Sequence, residues 1–282
     1  MQKILKIGLN AALKQKRIVF LIYMIQLIIA IPLGLQVYQV INASIGDSLS
    51  MDIIQEGFNR TVFEDFLNVH GASITPLIGT FRYVVPVYLV VSIFLHAGIM
   101  GNIINDKSKV SSFFSHGVKY FLSFLIINVC FVMTVVIWSC MVWFPFLMWM
   151  GNPVEDLASE KSLVIGGGIT FFIFLFGILM LWLWAFDVKV HCITTKNKIK
   201  TCLINGWSSI TSSGVRQWLT CCIYLIIHGL TIIIYFLLTG SIGATSLGLI
   251  LLVVLLQQAF SLFRIGLRVA LFSSLIKAVN MG

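Results

Sequence analysis

Residues 217–239 read QWLTCCIYLIIHGLTIIIYFLLT and hold no charged side chain. A helix needs about 20 apolar residues to cross about 30 Å of hydrocarbon, so this run is long enough to span a membrane. It is preceded by Gly214-Val215-Arg216, a cation placed where a helix leaves the headgroup layer. Working outward, five more runs have the same character: about 18–41, 83–105, 120–144, 162–186, and a last one starting near Ala244 with no breaker before Asn280. Pro145 is expected to end the third. The last is expected to cross the membrane and continue as a helix beyond it over 244–279, since 1.5 Å per residue carries it well past the hydrocarbon.

The composition agrees. Of 282 residues, 59% are hydrophobic and 10% charged, and the mean hydropathy is +1.01. Soluble chains hold about 45–50% apolar and about 25% charged residues. A disordered chain, a coiled coil and a soluble nucleic-acid-binding domain are excluded. The spans leave no room for a soluble catalytic domain. The expected fold is all-α: one polytopic membrane bundle over 1–282, with six transmembrane helices arranged as three hairpins.

Charge orients the bundle. The chain carries 19 Lys and Arg, and only Arg60, Arg82 and Lys161 fall outside the N-terminal segment, the loops 107–119 and 189–216, and the C-terminal part. Eight acids, from Asp47 to Glu160, lie on the opposite side, and Asp106 and Asp187 lie with the cations. The positive-inside rule then places both termini in the cytoplasm. It also accounts for the net charge of +9 without a nucleic-acid partner. The basic start runs into an apolar stretch too long for a cleavable signal, so the first span is expected to be retained.

Within residues 1–17, Lys3, Lys6, Asn10, Lys14 and Arg17 recur every 3 or 4 positions, one polar stripe on a helix. Ile4, Leu5, Leu9 and Ala12 face the other way. Such a helix is expected to lie along the inner membrane surface, basic side toward lipid phosphates. The third and fifth spans have comparable cytoplasmic prefaces: Gly117-Val118-Lys119-Tyr120-Phe121-Leu122 and Gly214-Val215-Arg216-Gln217-Trp218-Leu219 share Gly-Val-basic-x-aromatic-Leu. The outer loop 42–82 contains Met51, Ile54, Phe58, Val62 and Phe66 at helical spacing, so a short amphipathic helix or two is expected there. It also carries two glycosylation-type triplets, at Asn42 and Asn59.

No Asp or Glu lies deep in a span, which weighs against a carboxylate proton relay or a hydrolytic acid–base pair. Polar residues inside spans are the remaining pointers to function. His96 and His228 lie near the middle of the second and fifth spans, and Gln26 and Asn128 lie in the first and third. Each reads either as a polar point in a path or as an interhelical hydrogen bond. Gln257, Ser261, Arg264 and Arg268 are spaced 4, 3 and 4, one helical face descending from the inner leaflet. That stripe is read as a ligand or lipid site, a cavity receiving an anionic group such as a lipid phosphate, or as snorkelling cations with Asp187 as ion-pair partner.

Trp138, Trp143 and Trp149, and Trp182 and Trp184, read as interfacial aromatic belts. Gly166-Gly167-Gly168 is expected to allow close helix approach, and Pro32 and Pro86 to kink their helices. The spacing of Cys192 and Cys202 beside His191 is not that of a zinc site, and no nucleotide, zinc-protease or nucleophile-elbow motif is present. No catalytic residue, metal or cofactor is expected.

On Gly117–Leu122, Gly214–Leu219 and the hairpin plan, the chain resembles a loose group of bacterial six-span membrane proteins of unknown function. That group includes the membrane domain attached to some glycerophosphodiester phosphodiesterases. The resemblance implies a bacterial inner-membrane location and carries over no catalytic residue, because the hydrolase domain has no counterpart here. Three function classes stay open: a non-enzymatic membrane component that binds lipids or other membrane proteins, a transporter or channel subunit for a small or lipidic solute, and, least favoured for want of deep acids or a nucleophile–base pair, an intramembrane lipid enzyme.

Overall fold

The computed structural model describes residues 2–45, 60–150, 160–195, 199–242 and 246–279. Hydrocarbon offers a backbone no hydrogen-bonding partner, so each spanning segment must satisfy its own amides, and the helix does so. Among the described residues, seven helices follow in order: α1 (Gln2–Lys14), α2 (Lys16–Ile45), α3 (Arg60–Ile104), α4 (Val110–Met150), α5 (Glu160–Thr195), α6 (Ile199–Gly240) and α7 (Leu247–Val279). Six of them, α2 to α7, are long and apolar enough to cross a membrane. The chain is a multi-pass helical membrane protein, as the hydropathy pattern predicts.

The six spans close into a ring in chain order. Each packs on the next, from α2 to α7, and α7 returns to α2. Short connections force antiparallel neighbours, so the ends carrying most of the Lys and Arg gather at one end of the ring, here the basic end. The core lies toward that end. Ile18 and Ile22 of α2, Met100 of α3, Phe113 and Phe124 of α4, Leu183 and Val190 of α5, and Val269 and Leu275 of α7 are buried together. Toward the outer end the helices present apolar side chains to their surroundings, among them Ile31 and Leu35, Val136 and Ile137, Phe172, and Ile233 and Ile234.

Small residues permit the tight basic end. A Cβ on Gly98 would lie 2.8 Å from the Phe113 ring, one on Gly101 2.6 Å from His116, and one on Gly117 2.7 Å from Phe94. Gly214, its counterpart in the repeated hexapeptide, meets only Ile210 of its own helix, at 3.4 Å. The two copies therefore share sequence without sharing a packing role. The turn between α3 and α4 is a Schellman cap: Lys107 N–H donates to the Asn102 carbonyl (2.9 Å) and Asp106 N–H to that of Ile103 (3.3 Å). Asp106 takes a φ of 50° at the left-handed position, where glycine is commoner.

Several boundaries differ from the sequence reading. The latter half of the outer loop, from Arg60, is helical and continuous with the second span, an amphipathic stretch added to the span rather than a separate element. Residues 46–59, including Met51, Ile54, Phe58 and Asn59, lie outside the described residues. Most of 107–119 and 189–216 is likewise helix. Helix continuation keeps backbone amides bonded internally, and hydropathy cannot distinguish it from a loop. Pro145 does not end its span, because α4 continues to Met150. Proline deletes one backbone donor, a loss tolerated near a helix end. The last helix matches the long uninterrupted element expected, with 243–245 outside the described residues.

Helix α1 forms as expected, and part of its apolar side packs on the bundle. Ile4 is buried, and Leu5 and Ala12 pack with Tyr224, Leu267 and Ala270. Leu9 remains exposed. Gly8 permits the approach: a Cβ there would lie 2.6 Å from both the Ala270 carbonyl oxygen and the Tyr224 hydroxyl. At its far end Lys14 Nζ donates to Asp106 Oδ1 at 2.6 Å. The helix is thus a strap running from α7 to the α3–α4 turn. The predicted close approach of α5 holds at Gly166, whose Cβ would lie 2.7 Å from Trp149 of α4, and not at Gly168, which faces open space. Trp138 does more than mark an interface. It packs against Gly177, and its indole N–H donates to the Phe174 carbonyl at 3.3 Å.

Candidate functional site

Helix periodicity puts His96 on the inner side of α3, Trp182 on that of α5, Tyr224 and His228 on that of α6, and Arg264, Arg268 and Phe272 on that of α7. Together they line a chamber of about 260 Å³. Arg264, Arg268 and Phe272 follow one another at intervals of four, so a single stripe of α7 supplies both guanidinium groups and the aromatic floor. The His96 ring lies 5.0 Å from that of Phe272, centroid to centroid.

A second cavity of about 610 Å³ lies between α3, α4 and α5. His96, Trp182 and Phe272 line both, so the two share a wall. The larger is apolar apart from Ser92, His96, Asn128 and Lys189. The Lys189 ammonium donates to Asn128 Oδ1 at 2.8 Å and stands 5.7 Å from the centre of the Phe124 ring. Gln26 joins His96 and Arg268 around a third, small void of about 20 Å³.

The structure thus brings His96, His228, Arg264 and Arg268 to one chamber, with Asn128 and Gln26 beside its neighbours. It does not bring Gln257 or Ser261 there. The four residues of the stripe share a face, but Gln257 to Arg268 covers about 17 Å of helix, longer than the chamber. Gln257 is exposed. Its neighbour Gln258 instead accepts a hydrogen bond from the Tyr23 hydroxyl at 2.5 Å.

Asp187 is not the partner of either arginine. It is fully buried and accepts a hydrogen bond from Gln217 Nε2 at 2.9 Å, joining α5 to α6. Among the described residues, no carboxylate lies within ion-pair distance of Arg264, Arg268 or Lys189, and none lines either large cavity. Sequence reasoning missed Lys189, which it assigned to a loop, and Trp182, which it assigned to a belt. Their seven-residue spacing, two helical turns, was the signal for a shared face.

Behind the chamber, toward the basic end, the Tyr224 hydroxyl and Ser274 Oγ are 3.0 Å apart. Ser274 in turn donates to the Ile4 carbonyl at 3.2 Å. Helix α1 therefore backs the wall that Tyr224 forms. Comparison with protein families, with characterised proteins and with solved structures gave no match.

Proposed function

We propose that this membrane protein binds an anionic lipid in the chamber between α3, α5, α6 and α7, and does so without catalysing a covalent change in it. The observation that carries the reading is the convergence of Arg264, Arg268, His96 and His228 on one cavity. No carboxylate lines it among the described residues. Cations inside a membrane bundle are costly unless something compensates them, and arginine suits phosphate through its planar fork of donors. Trp182, Leu267 and Phe272 complete a lining that suits an amphiphile rather than a simple ion. In this reading the basic end faces the cytoplasm of a bacterial inner membrane, as the charge bias and the architectural resemblance imply.

The test is purification in mild detergent followed by native mass spectrometry. Wild-type protein is expected to carry anionic phospholipid, and the Arg264→Gln/Arg268→Gln double variant to lose most of it while staying monodisperse. Equal lipid retention by both proteins would reject the site.

Transport of such a lipid is the second reading, and one observation favours it. His228 is the fifteenth residue of the 27-residue span Gly214–Gly240, so the chamber reaches the middle of that span. Vesicles with a fluorescent anionic lipid confined to one leaflet distinguish the two readings: transport equilibrates the leaflets, and binding alone does not.

A further inference from the structure

The two large cavities have complementary characters. One gathers Arg264 and Arg268. The other is a greasy slot with Lys189 and Asn128 near one end. Along α3 the slot extends from Met100 near the basic end to Pro86 farther out, 14 residues or about 21 Å of helix. One leaflet of a bilayer is about 15 Å deep, half of the hydrocarbon core, so the slot is long enough to hold an acyl chain of that leaflet. Its volume also falls in the ordinary range for ligand sites, about 300–1,000 Å³.

Lys189 lies at the basic side of the slot, because α5 runs toward that end and Lys189 is seven residues beyond Trp182. Val132 and Met133 of α4, which runs the other way, mark its outer side. The protein gives Lys189 two neutral partners, the Asn128 amide oxygen and the Phe124 ring. Neither cancels a charge.

We propose that the two cavities form one site for a lipid whose polar group carries at least two negative charges, taken from the leaflet on the basic side. This rests on the lipid-binding reading and specifies its ligand. The polar group lies between Lys189 and the Arg264–Arg268 pair, beside His96, Trp182 and Phe272, where the two cavities adjoin. One acyl chain fills the slot toward Pro86 and Met133. Lys189, Arg264 and Arg268 face the joined site. A monoanion leaves two of them uncompensated in a medium of low dielectric constant, whereas a phosphomonoester leaves one. The orientation, head toward the basic end and chain outward, is the one a lipid of that leaflet already has, so it enters without inverting.

The experiment titrates delipidated protein with phosphatidic acid, phosphatidylglycerol and phosphatidylcholine of matched chains, read by native mass spectrometry at pH 7. The second phosphate pKa is about 6, so the phosphomonoester then carries nearly two charges. Phosphatidic acid is expected to bind at least about tenfold tighter than phosphatidylglycerol, and Lys189→Gln to erase that preference while Lys189→Arg keeps it. Val132→Trp is expected to weaken long-chain phosphatidic acid and spare its dihexanoyl form. Inorganic phosphate at millimolar concentration is expected not to displace the lipid. Equal binding of phosphatidic acid and phosphatidylglycerol would overturn the two-charge assignment and leave lipid binding standing. A preference that survives Lys189→Gln would separate the cavities, and displacement by phosphate would remove the chain slot. Failure to prefer any anionic lipid over phosphatidylcholine would overturn the lipid-binding reading as well.

Discussion

The basic half of the ring and its outer half are built from the same helices by different rules. In the basic half, glycines face aromatic rings, and Asp187, Gln217, Asn102 and Ser274 are buried with hydrogen-bond partners on other residues. In the outer half, long apolar side chains face outward, and among the described residues neighbours meet mainly through aromatic rings, such as Trp138 on Gly177, Trp149 on Gly166 and Tyr235 on Phe260. Lipid is as apolar as leucine, so helix association in a membrane gains little from burying greasy surface and depends on close packing and polar contacts. One half has those features in quantity and the other has few, so stability should concentrate where they are.

The largest effect is expected at Gly98. Leucine there must displace Phe113, including its backbone oxygen at 2.9 Å, and should cost about 3 kcal/mol or more, seen as loss of folded protein in a detergent-melting assay. Removing the polar tie between α5 and α6 comes next. Gln217→Ala strips a hydrogen bond from buried Asp187 and should cost about 1–3 kcal/mol in an SDS unfolding titration. In the outer half the sign should reverse. A Cβ added at Gly229 would meet nothing within 4 Å, so Gly229→Ala should stabilise by roughly 0.5–1 kcal/mol through helix propensity alone. A loss at Gly229 equal to that at Gly98 would erase the contrast between halves. The smallest effect belongs to Lys14→Ala. Its pair with Asp106 is largely exposed and should contribute less than about 1 kcal/mol, with any change in melting diminishing as salt is raised.

The spans were legible because hydropathy and the charge bias report the same boundary. His96, His228, Arg264 and Arg268 stood out because polar groups inside apolar runs are conspicuous. Lys189 did not, since the mixture Asp187-Val188-Lys189-Val190-His191 reads equally as a loop or as a helix with one polar edge, and only packing against Asn128 resolves it. The stripe from Gln257 failed in the opposite way. Periodicity places residues on a face but does not say how much of that face a cavity uses. The packing of α1 on the bundle was hidden for a further reason. An amphipathic helix satisfies its apolar side equally well on lipid or on protein, and the signal that decides, Gly8 opposite Ala270, needs both ends of the chain at once.

That meeting of Ile4 with Ser274 joins two segments translated far apart in time. A hydrogen bond across 270 positions cannot form until α7 has left the ribosome, and contacts so distant in sequence form late. Until then α1 has no groove to enter, and its Ile4 and Leu5 remain uncovered or rest on lipid. The ring is therefore fastened by its first helix only after its last has arrived, and a chain halted before Ala270 would leave that fastening undone.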